Sequence, residues 1–211
     1  MNENVSMAVV RRLPRYYRYL EELLRSGVNR ISSGALSARM GLTASQIRQD
    51  LNCFGGFGQQ GYGYNVEHLK SEIGRILGAD DKKSAIMVGL GYMGHSIVSH
   101  IKFDKRGVTI KAIFDIRDEV VGSMVNGIRV YHTDELERIC EEIKPEIGIL
   151  TVPKTEAEKV SERLIRNGVK AFWNFANMDL QMKFPGVYFE NVHLGDSLMT
   201  LRYRLNDRDK A

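Results

Sequence analysis

Six residues constrain the fold of this chain more than any others: Gly89-Leu90-Gly91-Tyr92-Met93-Gly94. The apolar run Ser84-Ala85-Ile86-Met87-Val88 precedes them and reads as a strand. His95 to Phe103 follows, with apolar residues at helical spacing. A second apolar run, Val108 to Phe114, ends on Asp115, twenty-one residues past Gly94. The pattern G-x-G-x-x-G is informative in this strand–turn–helix–strand–acid setting and weak outside it. Gly89 allows the tight turn, Gly91 lets the backbone approach a pyrophosphate, and Gly94 lets the helix pack on the strand. The helix N-terminus offers free N–H groups and the positive end of its dipole to the phosphates. Asp115 accepts hydrogen bonds from a ribose 2′-hydroxyl and repels a 2′-phosphate, which favours NAD(H) over NADP(H).

Strands and helices alternate from Ala85 onward, which implies an α/β, mostly parallel, doubly wound sheet. The patterning predicts strands over Ala85–Val88, Val108–Phe114, Ile128–Tyr131, Ile147–Val152, Ala171–Asn174 and Val187–Phe189. It predicts helices over His95–Phe103, Asp134–Ile143, Thr155–Asn167 and Gly195–Asn206. The loops after strands carry the remaining candidate ligand contacts: Thr151, Val152 and Pro153 after the fourth, Asn174 and Phe175 after the fifth. Both loops belong at the carboxyl edge of the sheet, beside the cofactor crevice. The residues after Ala85 suffice for one dinucleotide fold and leave no substrate domain. None of His68, His95, His100, His132 and His193 has an acid at a spacing that suggests a proton relay. There is no G-K-[ST], which argues against a nucleoside triphosphatase. A nucleotide bound without equipment to transform it reads as a signal, and no enzymatic activity is expected.

What stands in front of the motif has a different character. Residues 1–84 hold 12 Lys/Arg against 8 Asp/Glu, whereas residues 85–211 hold 18 of each, so the whole net charge of +4 lies before the glycines. Between Val5 and Tyr64 all the basic residues are arginines. Such asymmetry points to a polyanion as partner, although solvated helix faces carry similar excesses. Leu13, Tyr16, Tyr17, Leu20, Leu23 and Leu24 recur at helical spacing and predict a helix over Val9–Ser26, with Pro14 in its first turn. A short helix over Gly34–Met40, a break at Gly41 and a third helix capped by Thr43 follow. Ile47, Leu51 and Phe54 form the buried stripe of the third helix; Ser45, Gln46, Arg48, Gln49 and Asn52 face outward.

Two short helices joined by a glycine turn form a helix-turn-helix, whose second helix reads DNA. Gln and Asn pair with adenine edges and Arg with guanine or phosphate. An ordinary three-helix bundle with a polar face fits these helices equally well. The segment Gly55 to Tyr64 favours the first reading, because Phe57, Tyr62 and Tyr64 flank glycines around Gln59-Gln60 and predict a β-hairpin. A hairpin after a reader helix is a wing. Candidate DNA contacts are Arg11, Arg12, Thr43, Ser45, Gln46, Arg48, Gln49, Gln59, Gln60 and Tyr62. A fourth helix runs from Val66 through Leu77. The expected organisation is a winged-helix DNA-binding domain over residues 1–78, a linker over 79–84, a Rossmann domain over 85–192 and a C-terminal helix over 193–211.

These residues resemble the Rex family of redox-sensing transcriptional repressors. Gln46-Ile47-Arg48-Gln49-Asp50-Leu51 with Phe54-Gly55, Phe57-Gly58, Gly61 and Gly63-Tyr64-Asn65-Val66 is similar to its reader helix and wing. Val88-Gly89-Leu90-Gly91, Phe114-Asp115, Leu150-Thr151-Val152-Pro153 and Asn174-Phe175-Ala176 agree in order along nearly the whole chain. The resemblance implies a homodimer with NADH and NAD⁺ as regulatory ligands, double-stranded operator DNA as partner, and a C-terminal helix exchanged between subunits. NADH binding releases it from an AT-rich inverted repeat. Arg18, His100, His193, Leu194, Asp196 and Leu198 are the expected switch and dimer residues.

The chain departs from the family pattern at several positions. Gln49 replaces a lysine in the reader, Gln59-Gln60 replaces Lys-Arg at the wing tip, and Tyr92 follows the second glycine where relatives carry a basic or polar residue. Three lost phosphate contacts imply a shallower salt dependence of operator binding. His193 stands where relatives carry an aspartate that is expected to pair with an arginine, here Arg18; a histidine there adds pH dependence. Two other function classes fit parts of the pattern: a small NAD-dependent oxidoreductase with an N-terminal interaction domain, and a CoA-binding module, against which Asp115 argues. Cys53 and Cys140 match no metal spacing and read as reduced thiols. No metal, no membrane span and no signal peptide are expected, and the setting is cytoplasmic.

Overall fold

Leu13, Tyr16, Leu20 and Leu23 line one face of a helix and are almost wholly buried, so the apolar spacing that predicts the helix also builds the first core. The computed structural model describes residues 5–59 and 62–208, Gln59 and Arg208 by backbone alone, and the chain divides into two compact units at Asp81/Lys82. The first unit contains α1 (Met7–Val10), α2 (Leu13–Arg25), β1 (Arg30–Ile31), α3 (Ser33–Met40), α4 (Ala44–Asn52), β2 (Gly58–Gln59), β3 (Gly63–Asn65) and α5 (Val66–Ile76). The single helix expected over Val9–Ser26 is two. The break falls at Arg11-Arg12, just ahead of Pro14, whose ring and missing N–H suit only a first turn.

Gly41 ends α3 in a left-handed conformation (φ 63°), and Thr43 caps α4 by accepting a hydrogen bond from the Gln46 N–H at 3.1 Å. The hairpin is present as β2 and β3, and β1, which the patterning did not predict, completes an antiparallel sheet in the order β1-β3-β2. Gly63 is obligatory there. Its φ is +69°, and a Cβ would lie 2.6 Å from the carbonyl oxygen of Ile31. Gln60 and Gly61 lie outside the described residues. Leu36, Met40, Ile47, Leu51, Val66, Leu69 and Ile73 complete the core.

The second unit runs β4 (Lys83–Val88), α6 (Tyr92–His100), β5 (Val108–Asp115), β6 (Met124–Val125), β7 (Ile128–His132), α7 (Leu136–Ile143), β8 (Ile147–Leu150), α8 (Lys154–Arg166), β9 (Ala171–Asn174), β10 (Tyr188–Asn191) and α9 (Leu194–Arg208). Strand β4 begins at Lys83, inside the segment expected as linker, because Lys83 and Ser84 pair with Val108 and Thr109. The sheet order is β10-β9-β8-β4-β5-β7-β6, parallel throughout except for β6. Both faces are covered. Ile86 and Val88 point into one core with Leu136, Ile139 and Leu164, while Ala85 and Met87 point into the other with Ile97 and Val98. The chain leaves β4 toward β5 on one side and returns to β8 on the other, so β4/β8 is the topological switch point. Helix α9 is different: every side chain from Leu194 to Asp207 is exposed.

Candidate functional site

The glycine turn lies at the switch point, between the carboxyl ends of β4 and β8. Gly89 has φ +97°, and a Cβ there would meet the Thr151 carbonyl oxygen at 2.7 Å. A Cβ on Gly94 would lie 2.2 Å from the Gly89 oxygen and 2.8 Å from Thr151 Oγ1. Both glycines are therefore required by the packing of the turn against the β8 loop. Gly91 differs, since nothing lies within 4 Å of where its Cβ would be. It is the N-cap of α6, and among the described residues no side chain caps that helix. The first amides of α6 thus have no side-chain cap, with the helix dipole behind them, an arrangement suited to a pyrophosphate. Tyr92 is fully exposed and Met93 is also exposed.

The neighbouring loops are tied down by their own side chains. Thr151 Oγ1 donates toward Gly89 O at 2.5 Å and Val88 O at 3.2 Å, so its hydroxyl staples the turn. Val152 is half-buried against the core, and the exposed Pro153 opens α8. Asn174 is fully buried: Nδ2 donates to Met178 O and Asn191 Oδ1, and Oδ1 accepts from the Ala176 N–H. Phe175 packs edge-on against Trp173 at 4.6 Å between ring centroids. His100 is exposed with Nδ1 2.9 Å from Ser96 O, and His95 is exposed.

Asp115 ends β5 and is buried. Its carboxylate accepts from the Leu90 N–H at 2.6 Å, from the Arg117 N–H at 3.0 Å and from the Arg117 side chain at 2.9 and 3.2 Å. Burial alone would raise the pKa of this carboxyl; the hydrogen bonds from Arg117 and Leu90 outweigh it and hold the group below the usual carboxylate range. Sequence reasoning named Asp115 and missed Arg117. The signal available was a cation two residues beyond the acid.

In the first unit, α4 exposes Ser45, Arg48 and Gln49 on one side. Arg48 Nη1 donates to Ser33 Oγ at 3.0 Å, tying α4 to the start of α3. Arg12 and Gln46 are placed differently from the rest of the outward set. Both donate to Asp50, a fully buried carboxylate that also accepts from the Tyr16 hydroxyl at 3.0 Å. Burial pushes the Asp50 pKa up; the hydrogen bonds from Arg12, Gln46 and Tyr16 outweigh it and bring it below its ordinary value. Arg11, Arg18, Thr43 and Tyr62 are exposed, and Arg30 Nη1 reaches the Tyr62 carbonyl oxygen at 3.5 Å. Gln60 falls outside the described residues, as does the side chain of Gln59.

At the far end of the chain, Leu194, Asp196 and Leu198 are exposed, while His193 Nδ1 is buried with no hydrogen-bond partner among the described residues. No group of three or more His, Cys, Asp or Glu among the described residues is placed to hold a metal ion. No helix among them is long and apolar enough to cross a membrane.

Residues 4–52 match the family described as "Putative DNA-binding protein N-terminus", and residues 80–178 match that described as "CoA binding domain". The chain is 51 % identical over 205 residues to the redox-sensing transcriptional repressor Rex of Thermoanaerobacter sp. (strain X514), covering 97 % of this chain and 91 % of that one. It is 50 % identical to Rex of Clostridium tetani (strain Massachusetts / E88), covering 98 % of each. Among solved structures it is similar to RSP in complex with β-NAD⁺ and operator DNA, with a TM-score of 0.89 at 50 % identity over 99 % of this chain and 95 % of that one. RSP in complex with β-NADH gives a TM-score of 0.88 at 48 % identity over 97 % and 96 %. These relatives are named as repressors and not as enzymes, which sets the oxidoreductase reading aside. The chain belongs to the Rex family of redox-sensing transcriptional repressors.

Proposed function

We infer that this protein is a DNA-binding repressor that reads NADH against NAD⁺, leaving an AT-rich inverted-repeat operator when NADH binds. The observation that carries this reading is the open, uncapped N-terminus of α6 at the β4/β8 switch point, in a chain that also holds a helix-turn-helix. The amides of Tyr92, Met93 and Gly94 hold the pyrophosphate, with Gly91 giving it access. Asp115 serves the adenosine ribose. Val152, Pro153 and Phe175 stand toward the nicotinamide end, the part of the ligand that changes between NAD⁺ and NADH. Thr151 and Asn174 shape the loops there through the backbone contacts described above.

Helix α4 lies in the major groove with Ser45, Arg48 and Gln49 toward the bases and phosphates. Thr43 and Arg11 stand near the backbone, and Tyr62 belongs to the wing; Gln60 and the side chain of Gln59 lie outside the described residues. Arg12 and Gln46 set the pose of α4 through Asp50.

The working form is a homodimer. Leu194, Leu198, Leu201 and Leu205 repeat along α9 and are all exposed, and a helix of this length is marginal in water without a packed face. A second copy of the chain covers that stripe, and Arg18, His100, His193 and Asp196 take part in the switch. NADH shifts the balance only as far as it binds the DNA-incompetent state more tightly than the competent one. Free Cys53 and Cys140 agree with a cytoplasmic setting.

The test is binding to an AT-rich inverted repeat at fixed salt, titrated with NADH and with NAD⁺. Release by NADH at concentrations where NAD⁺ leaves the complex intact supports the reading. Equal effects of the two would sink it.

A further inference from the structure

Asn174 ends β9 and is fully buried. Its side-chain amide has two donor hydrogens, and both are used: Nδ2 donates to Asn191 Oδ1 at 2.9 Å and to the Met178 carbonyl oxygen at 2.8 Å. Oδ1 accepts from the Ala176 N–H at 3.0 Å. That contact spans Phe175, so one planar group holds the Phe175 turn at one end and Asn191 at the other. The backbone repeats the link, since the Val192 N–H donates to the Asn174 carbonyl oxygen at 2.9 Å. Asn174 and Asn191 are register partners at the carboxyl ends of β9 and β10. Leu194, the first residue of α9, comes three positions after Asn191.

A buried amide engaged at both ends cannot tilt at one of them without moving the other or leaving a polar group unpaired, which is costly. A shift of the Phe175 turn is therefore passed to Asn191 and Val192, the residues from which the chain leaves the sheet for α9. Asn191 is half-buried and also donates from Nδ2 to Asp179 Oδ1 at 3.3 Å. Asp179 otherwise accepts from the Gln181 N–H, so it anchors Asn191 from outside the Asn174 clamp.

Resting on the dinucleotide reading above, which sets Phe175 toward the nicotinamide, we propose that Asn174 and Asn191 form the link by which the occupied nicotinamide site repositions α9. Asn191 is a positioning residue: it acts through Asn174, and its side chain carries the state of the Phe175 turn to the root of that helix.

The test is the factor by which saturating NADH weakens operator binding, measured on the full-length protein for wild type, Asn191→Ala and Asp179→Ala, together with the NADH affinity of each. Asn191→Ala is expected to cut that factor by at least about threefold, while NADH binding without DNA stays within about threefold of wild type. By linkage, operator DNA should lose the same factor in its effect on NADH affinity, a reciprocity that a loosened fold does not produce. Asp179→Ala, which spares the Asn174–Asn191 bond, should keep the wild-type factor. A smaller change in Asn191→Ala overturns the proposal, as does an equal loss in Asp179→Ala, or a loss of NADH binding itself in Asn191→Ala. Hydrogen exchange on the wild type gives an independent reading should Asn191→Ala not fold: NADH should alter the protection of the Ala176 and Val192 amides together, and an unaltered Val192 overturns the link. A wild type whose operator binding NADH leaves unchanged overturns the redox-sensing reading itself, an outcome distinct from switching that survives Asn191→Ala.

Discussion

Arg12 and Asp50, 38 positions apart in the chain, form a two-pronged ion pair: Nε donates to Oδ2 and Nη2 to Oδ1, each at 2.7 Å. The pair joins the entry to α2 with the last turn of α4, the helix proposed to read DNA. Asp50 is fully buried and the Arg12 side chain is 28 % exposed, so the arginine carries the remaining contact with water. Arg12 is therefore committed to Asp50 and fixes the pose of α4, and is not a free cation.

Removing Arg12 leaves a buried carboxylate facing only the neutral donors of Tyr16 and Gln46. Breaking such a pair costs about 3–5 kcal/mol, and the partial exposure of Arg12 places Arg12→Ala near the lower end. The first unit contains no tryptophan, since the chain's one tryptophan is Trp173 in β9. Far-UV circular dichroism should show an early helical transition in Arg12→Ala while Trp173 fluorescence keeps its wild-type midpoint. A shift of the tryptophan midpoint alone would count against this assignment.

Acid should weaken both units. The pKa values of Asp50 and Asp115 are lowered in the fold, each by hydrogen bonds that outweigh burial. A depressed folded pKa contributes stability above the unfolded value, near about 4, and loses it as pH falls through the folded value. Denaturation midpoints should therefore be insensitive to these groups between pH 8 and 5 and fall below about pH 4. Asp50→Asn should flatten the acid limb of the helical transition, and Asp115→Asn that of Trp173. Unchanged acid limbs in both variants would remove these carboxyls as the cause.

The two thiols should react very differently. Cys140 is 1 % exposed, and burial pushes its pKa up to about 11. Its thiolate fraction at pH 8 is then about one in a thousand, on top of the steric block. Cys53 is half-buried at the end of α4. Iodoacetamide at pH 8 should modify one thiol per native chain, Cys53, and both after denaturation, as intact mass would report. Early alkylation of Cys140 would mean that the core around α7 opens readily.

Dimer formation should depend on α9. Leu198 and Leu201 are 67 % and 57 % exposed, so charging them disturbs no packed core in the isolated chain and costs only about 0.5 kcal/mol each in helix propensity. Leu198→Asp with Leu201→Asp should leave the thermal transition of Trp173 in the monomer intact and yield monomers by light scattering. Operator affinity should fall about a hundredfold or more, because a single half-site loses the linkage of two. A double variant that stays dimeric would place the subunit interface elsewhere.

Local signals carried most of the fold and only part of the site. The Thr43 cap, the break at Gly41 and strand β9 were legible because each is decided within a few residues. The sheet alternation was legible because both faces of β4 are buried, leaving a continuous apolar run. The Asp50 cluster was not, because its cation comes from 38 residues upstream. A trace existed: Asp50 falls three residues after Ile47 and just before Leu51, on the buried stripe, where an acid needs a partner. The Arg117 contact is hidden for the opposite reason. Arg117 lies near Asp115 in sequence, but only the turn after β5 brings its fork back over the carboxylate. Strand β1 is two residues long, too short for any periodicity, and exists because Gly63 lets β3 approach it.

The three motif glycines should separate packing from ligand contact. A Cβ on Gly94 would lie 2.2 Å from the Gly89 oxygen, in a turn that Thr151 Oγ1 already holds. Gly94→Ala must therefore displace backbone or break that staple, at a cost of about 1–3 kcal/mol or more. Gly89→Ala adds positive-φ strain to its own clash. Gly91→Ala meets no atom within 4 Å, and φ −65° with ψ −172° is extended backbone that alanine adopts freely. Its stability should stay within about 0.5 kcal/mol of wild type. The methyl group nevertheless sits on the N-cap of α6, where the pyrophosphate is proposed to lie, and NADH affinity should fall at least about tenfold. Trp173 unfolding curves and NADH titrations on the three variants give the answer together. Gly94→Ala and Gly89→Ala should lose both stability and binding, and Gly91→Ala binding alone. Full NADH affinity in a stably folded Gly91→Ala would move the pyrophosphate away from the α6 N-terminus.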